Sequence, residues 1–211
     1  MRRVYEYSHL GGAEILQLRY PDIDAEISRV IDRLVMPAKT KISREKTMAG
    51  RLLYSPKEIN AKFKSAFYNL GYRELRLPYE HDIPGYPIRI KGSFKQIDFQ
   101  KQDVLVEVQL GKYFAMFYDL AKFQYFFNEN RCEVGVEIVP ANSLYREMSS
   151  GVSYGEQLIT DIRRLRRHFP AVPIKVILID VEGAQLPAEV ELTEEQAAEQ
   201  EIAEPGDGEP G

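Results

Sequence analysis

Asp98, Glu107 and Gln109 are the residues of this 211-residue chain whose types and spacing best suit chemistry. They lie in the stretch Ile-Asp-Phe-Gln-Lys-Gln-Asp-Val-Leu-Val-Glu-Val-Gln, residues 97–109. Residues 104–110 read as a buried strand, with Glu107 and Gln109 set among Val106, Val108 and Leu110. Successive strand side chains point to opposite faces, so Glu107 and Gln109 share one. With residues 100–103 as the turn of a hairpin, Asp98 falls opposite Leu105 and diagonal to Glu107, on that same face. Two carboxylates and an amide then converge on rigid sheet. Hard divalent cations prefer such oxygen-rich clusters, and metal-assisted phosphodiester cleavage uses one. The plainer reading of one strand carboxylate is a solvated face. Val106 and Val108 weigh against that, because a glutamate on a buried strand needs a partner.

Other candidates are weaker. Lys112 follows Gly111 directly after the strand; it reads as a surface lysine or as a donor to a DNA base edge or phosphate. The loop Met148–Tyr154 offers Ser149, Ser150 and Ser153 with a glycine that lets backbone approach a ligand, although Ser153 also suits a helix cap. Arg163, Arg164, Arg166 and Arg167 could grip phosphates or form the wet side of an amphipathic helix. His9, His81 and His168 are scattered, so a histidine mechanism lacks support. There is no glycine-rich nucleotide fingerprint and no internal repeat, and no organic cofactor is expected.

The elements that must position these groups are readable from periodicity. Residues 21–35 place Ile23, Ile27, Val30, Ile31, Leu34 and Val35 on one helical stripe, and Pro37 follows. Ser55-Pro56-Lys57-Glu58 has the form of a capping box, with Ile59, Phe63, Phe67 and Leu70 as the apolar face beyond it and Gly71 at the end. Prolines 78, 84 and 87 predict a long loop or irregular edge over 72–87, before strands at 88–98 and 104–110. Residues 113–128 form an aromatic-rich helix that should be central. Cys132, Val134, Val136 and Ile138 alternate with Glu133, Gly135 and Glu137, as in a strand. A helix over 156–168, with Leu158, Ile159, Ile162 and Leu165 inward, and a strand over 174–181 complete the pattern. Helices, a hairpin and then strand–helix–strand predict a mixed α/β fold, a central mixed sheet flanked by helices.

Composition sets the frame. At 44% hydrophobic, the chain can bury one proper core, so one main domain over 1–182 is expected. No apolar run is long enough to cross a bilayer, and the N-terminus lacks the apolar stretch of a secretory signal. Cys132 is the single cysteine, which excludes an intrachain disulfide and a cysteine-built zinc site and points to the cytoplasm. The net charge of -4 hides an asymmetry: nine of the 32 acids, and no Lys or Arg, lie in 183–211. The remaining 23 acids face 28 bases, so residues 1–182 carry +5 and can approach a polyanion. The acidic tail, 183–211, reads as disordered, with at most a frayed helix in its first half.

Five blocks, in shared order and spacing, carry a family resemblance. They are Tyr7–Leu10, Leu53–Pro56, Asp98 through Glu107–Tyr113, Val134–Pro140 and Glu147–Tyr154. Over residues 1 to about 182 the chain resembles the BglII/BstYI group of type II restriction endonucleases, a branch of the PD-(D/E)XK nuclease superfamily. The superfamily usually has lysine two positions after the second acid; Gln109 stands there, as in the BglII-like branch. The resemblance implies a restriction-endonuclease-like fold, with Asp98 and the Val108 carbonyl as Mg2+ ligands. Glu107 would hold metal-bound water or a second cation, and Gln109 would help place the attacking water. Lys112, Ser150 and Ser153 would contact bases of double-stranded DNA. The family implies a homodimer cutting a palindrome with a GATC core. A superfamily nuclease without a fixed palindrome, or a DNA-binding protein without catalysis, are the alternatives.

Overall fold

The computed structural model describes residues 1–43, 49–148 and 151–193. Strand β1 (Arg2–His9) leads into helices α1 (Gly12–Arg19) and α2 (Pro21–Arg33). A two-residue ribbon, β2 (Lys41–Ile42) with β3 (Leu52–Leu53), precedes α3 (Pro56–Asn69). Then come β4 (Arg73–His81), β5 (Ile90–Lys101), β6 (Val104–Val108) and the long helix α4 (Tyr113–Asn128). The chain closes with β7 (Val134–Pro140), the single turn α5 (Asn142–Tyr145), α6 (Gly155–Leu165) and β8 (Ile174–Asp180). No described helix is long and apolar enough to cross a membrane.

Six strands form one sheet in the order β1-β8-β7-β6-β5-β4. β6, β7 and β8 run parallel through helical crossovers, while β1, β5 and β4 are antiparallel to their neighbours. Helices cover both faces, as a parallel core demands. On one face Leu16, Ile27, Ile31, Phe63 and Phe67 pack on Val106, Val136 and Ile177. On the other Met116, Leu120, Phe123 and Ile162 pack on Leu105, Val139 and Val176.

The mixed sheet flanked by helices is as expected, and several details differ. β1 and α1 have no clear periodic signal in the sequence; β1 pairs with β8 across nearly the whole described chain. Residues 73–81 form an irregular edge strand with register shifts near both ends, and Pro78 lies in it, as an edge strand tolerates. Val35 lies beyond the end of α2 and is exposed, as is Leu165 at the end of α6. The capping box is present in sequence only, since Ser55 makes no side-chain cap and Glu58 instead accepts from Thr40. Glu137 is buried on a central strand, as every residue of β7 is. Residues 183–193 contain no helix.

Candidate active site

Asp98 is placed by a fault in the sheet. Between Ile97 and Gln100, β5 advances three residues while β4 advances only two, from Leu75 to Arg73. This is a β-bulge, a device that re-aims a side chain and often ends pairing. Ile97 consequently packs with the α4 side of the sheet and Phe99 with the α3 side. Simple alternation would put both on one face. The ladder to β6 stops at Phe99–Val106, and Gln100, not Asp98, lies opposite Leu105. The turn is therefore tighter than 100–103: Gln102 and Asp103 make it, with Gln102 at a φ of 52°. Asp98 is left exposed beside the open end of the hairpin, lining a cleft of about 180 Å³ with Val108.

Glu107 sits behind it, 3% exposed. Its Oε1 accepts from Lys122 Nζ at 2.5 Å, and the same ammonium donates to Asp119 Oδ1 at 2.7 Å. Gln109 Nε2 donates to the other oxygen of Asp119 at 2.7 Å. Glu137 is the direct neighbour of Glu107 across the β6–β7 ladder, fully buried, and neither of its carboxylate oxygens has a partner among the described residues. Two acids thus share the largely buried Lys122 ammonium, with Glu137 beside Glu107.

The electrostatics follow from that crowding. Burial, and then the charges of Asp119 and Asp98, push the Glu107 carboxyl well above the usual carboxylate range, with Lys122 pulling the other way. Burial dominates at Glu137 too, reinforced by Asp119 and Glu107. Asp119 is raised chiefly by burial, against the pull of Lys122 and Gln109. For Lys122, burial disfavours the charge, yet Glu107 and Asp119 outweigh it and hold the ammonium more firmly protonated than an ordinary lysine.

Two glycines permit this arrangement. A side chain at Gly135 would put its Cβ 2.7 Å from the ring of Phe123, so the bare backbone there lets α4 settle onto the sheet. A Cβ at Gly111 would stand 2.7 Å from Gln109 Oε1. Beyond Gly111, Lys112 is exposed and within van der Waals reach of a Cβ at Gly151. Ser153 N–H donates to the Gly111 carbonyl at 2.8 Å, so Lys112 and the Ser153 loop are neighbours. Ser153 is buried with its Oγ unpaired among the described residues, and it does not cap α6, whose cap is Tyr154. Ser149 and Ser150 lie outside the described residues.

The structure therefore brings Asp98, Glu107, Val108 and Gln109 together and sets Lys112 next to the Ser153 loop. Sequence reasoning missed Asp119, Lys122 and Glu137. The available signal was a charged pair three residues apart in a helix otherwise apolar along its buried side.

Comparison with known proteins agrees in fold and extent. A model of the family described as restriction endonuclease BglII/BglIII matches residues 4–179. A crystal structure of restriction endonuclease BglII complexed with a DNA 16-mer superposes with a TM-score of 0.65 at 22% identity, covering 84% of this chain and 77% of that one. Free BglII superposes with a TM-score of 0.59 at 18% identity, covering 84% and 79%. No curated protein matches. With the family match spanning the entire sheet and the helices that hold its acids, the chain belongs to the BglII/BglIII restriction endonuclease family and is a site-specific deoxyribonuclease.

Proposed function

We propose that this endonuclease is a Mg2+-dependent type II enzyme that acts as a homodimer in the cytoplasm and cuts double-stranded DNA at a palindrome with a GATC core. The observation that carries the reading is an exposed carboxylate, Asp98, set in a sheet bulge beside Val108 and in front of the buried Glu107.

The residues fit magnesium. Among the described residues no three carboxylate, imidazole or thiolate side chains close into a cation cage. Mg2+ needs no such cage: it keeps several waters and takes one or two carboxylates plus substrate phosphate. Asp98 and the Val108 carbonyl would hold it, with Glu107 reaching it through water. When bound, the ion neutralises phosphate charge and acidifies a water.

The chain's own groups do the positioning. Gln109 commits Nε2 to Asp119, which leaves Oε1 free to accept from a water and aim it. An amide takes up no proton, so Gln109 orients and does not act as a base. Lys122 and Asp119 brace Glu107 and Gln109 from behind. Lys112, with Ser150 and Ser153 of the adjoining loop, would read base edges; Ser153 is buried with its Oγ unpaired among the described residues, a polar group that still calls for a partner. Two-fold symmetry matches a palindrome, each protomer reading and cutting one half-site.

Purified protein with Mg2+ should turn long DNA into discrete fragments whose sequenced ends share a palindrome. A smear, or intact DNA, overturns sequence-specific cleavage. Asp98→Ala should stop cutting while binding to the site remains measurable; continued turnover would remove Asp98 from the mechanism.

A further inference from the structure

The cleft that holds Asp98 has a second wall. Helix α3 lines it with Lys57, Asn60 and Lys64, spaced three and four residues apart and so stacked along one stripe of the helix. The neighbouring stripe, Ile59, Phe63 and Phe67, is buried in the core and fixes which way the lysines face. Lys64 lies over the ring of Tyr68, 5.4 Å from its centroid, which restrains an otherwise mobile side chain.

These two lysines differ from the cations deeper in the molecule. Lys101 is paired with Glu26, Lys175 with Asp24 and Glu6, Lys39 with Glu147 and Lys122 with its two acids. Among the described residues neither Lys57 nor Lys64 forms an ion pair, although Asp98 and Glu74 line the same cleft. Two exposed ammonium groups without an ion pair, beside the carboxylate at the centre of the candidate site, are available to an anionic partner from outside the chain. A DNA strand laid against Asp98 supplies one. Seven residues of α-helix separate the lysines by roughly 10 Å along the axis, whereas the charges of one DNA strand repeat about every 3.4 Å along the duplex. The two lysines therefore meet different phosphates of one strand. Each is a compact point charge, suited to phosphate and not to forked recognition of a base.

We propose that Lys57 and Lys64 form a phosphate rail that seats the scissile strand against Asp98, gripping its backbone without regard to sequence. This rests on the reading of Asp98 as the residue at the cleaved phosphate. The rail supplies affinity and alignment, while base discrimination belongs elsewhere.

The test is binding of the full-length protein to a short mixed-sequence duplex, in EDTA so that nothing is cut, across a salt series. K57Q/K64Q should lower the slope of log affinity against log salt by about 0.9 per lysine per protomer. The loss should be equal on a duplex bearing the recognition site. K62Q, on the same helix but outside the cleft, should leave the slope unchanged, and thermal melting should confirm that all three proteins are folded. A double variant with the wild-type slope, or a K62Q variant that loses as much, overturns the rail. Cleavage by the wild type with Mg2+ is scored separately. If it cuts and the double variant keeps its slope, the rail alone fails. If the slope drops but the wild type never cuts, the rail stands and the reading of the catalytic site fails.

Discussion

Lys122 carries a burden that its place in an aromatic helix does not advertise. It is the cation that Glu107 and Asp119 share, and all three are largely withdrawn from water. Removing one partner of such a buried set leaves the others uncompensated, which typically costs about 3–5 kcal/mol. Lys122→Met should therefore destabilise the fold by about that much in urea unfolding, and the loss should be smaller at acid pH, where Glu107 and Asp119 can protonate. An unchanged unfolding midpoint would mean that the ammonium is dispensable. Glu137 has the opposite sensitivity. Burial, and then the charges of Asp119 and Glu107, hold its native carboxyl well above the ordinary 4.5, and among the described residues it has no hydrogen-bond partner. The folded protein then retains a proton that the unfolded chain releases, so this group's contribution is full below about 4.5 and is lost as pH rises through the native value. Glu137→Gln should consequently gain stability relative to wild type between pH 5 and pH 8 in EDTA; a constant difference would show that Glu137 is ionised throughout.

Among the elements, the bulge in β5 and the seat of α4 decide the site. Asp98 and Glu107 were legible as a pair because their types and short separation are local facts. Their register was not, since a bulge depends on how β4 and β6 pull on β5 from either side. Likewise the sequence marks residues 113–128 as a helix, but only its docking shows that Asp119 and Lys122 meet Glu107 and Gln109. Gly135 sets that docking. Adding a methyl group there drives Cβ into the Phe123 ring, so Gly135→Ala should cost about 1–3 kcal/mol through overpacking. Because Phe123 adjoins Lys122, the same change should lower the cleavage rate more than the affinity for DNA. Equal losses in both would place the effect on overall folding alone.

For the whole molecule, symmetry and charge are what matter. One protomer offers one Asp98 cleft, so the proposed cut of both strands at a palindrome would use two copies related by a two-fold axis. Sedimentation of the active protein should find a species of twice 24.3 kDa. A monomer at concentrations that cut both strands would defeat the symmetric reading. The excess of basic residues over 1–182 gives that part of the chain a local field suited to a polyanion, and that field weakens as salt rises.

Sequence by itself marked the candidate site residues Asp98, Glu107 and Gln109 and most, though not all, of the segments that become helix or strand. Those depend on neighbours a few positions away: the two acids with Gln109, the apolar stripe of α2, the alternation through residues 104–110. Tertiary structure decided everything that needs distant partners. Arg2 pairs with Asp180 to enclose β8, β7 lies inside and buries Glu137, and α4 crosses over the acids to bring Lys122 among them. The physical reason is that burial and charge compensation belong to the packed sheet, whose order no local pattern encodes.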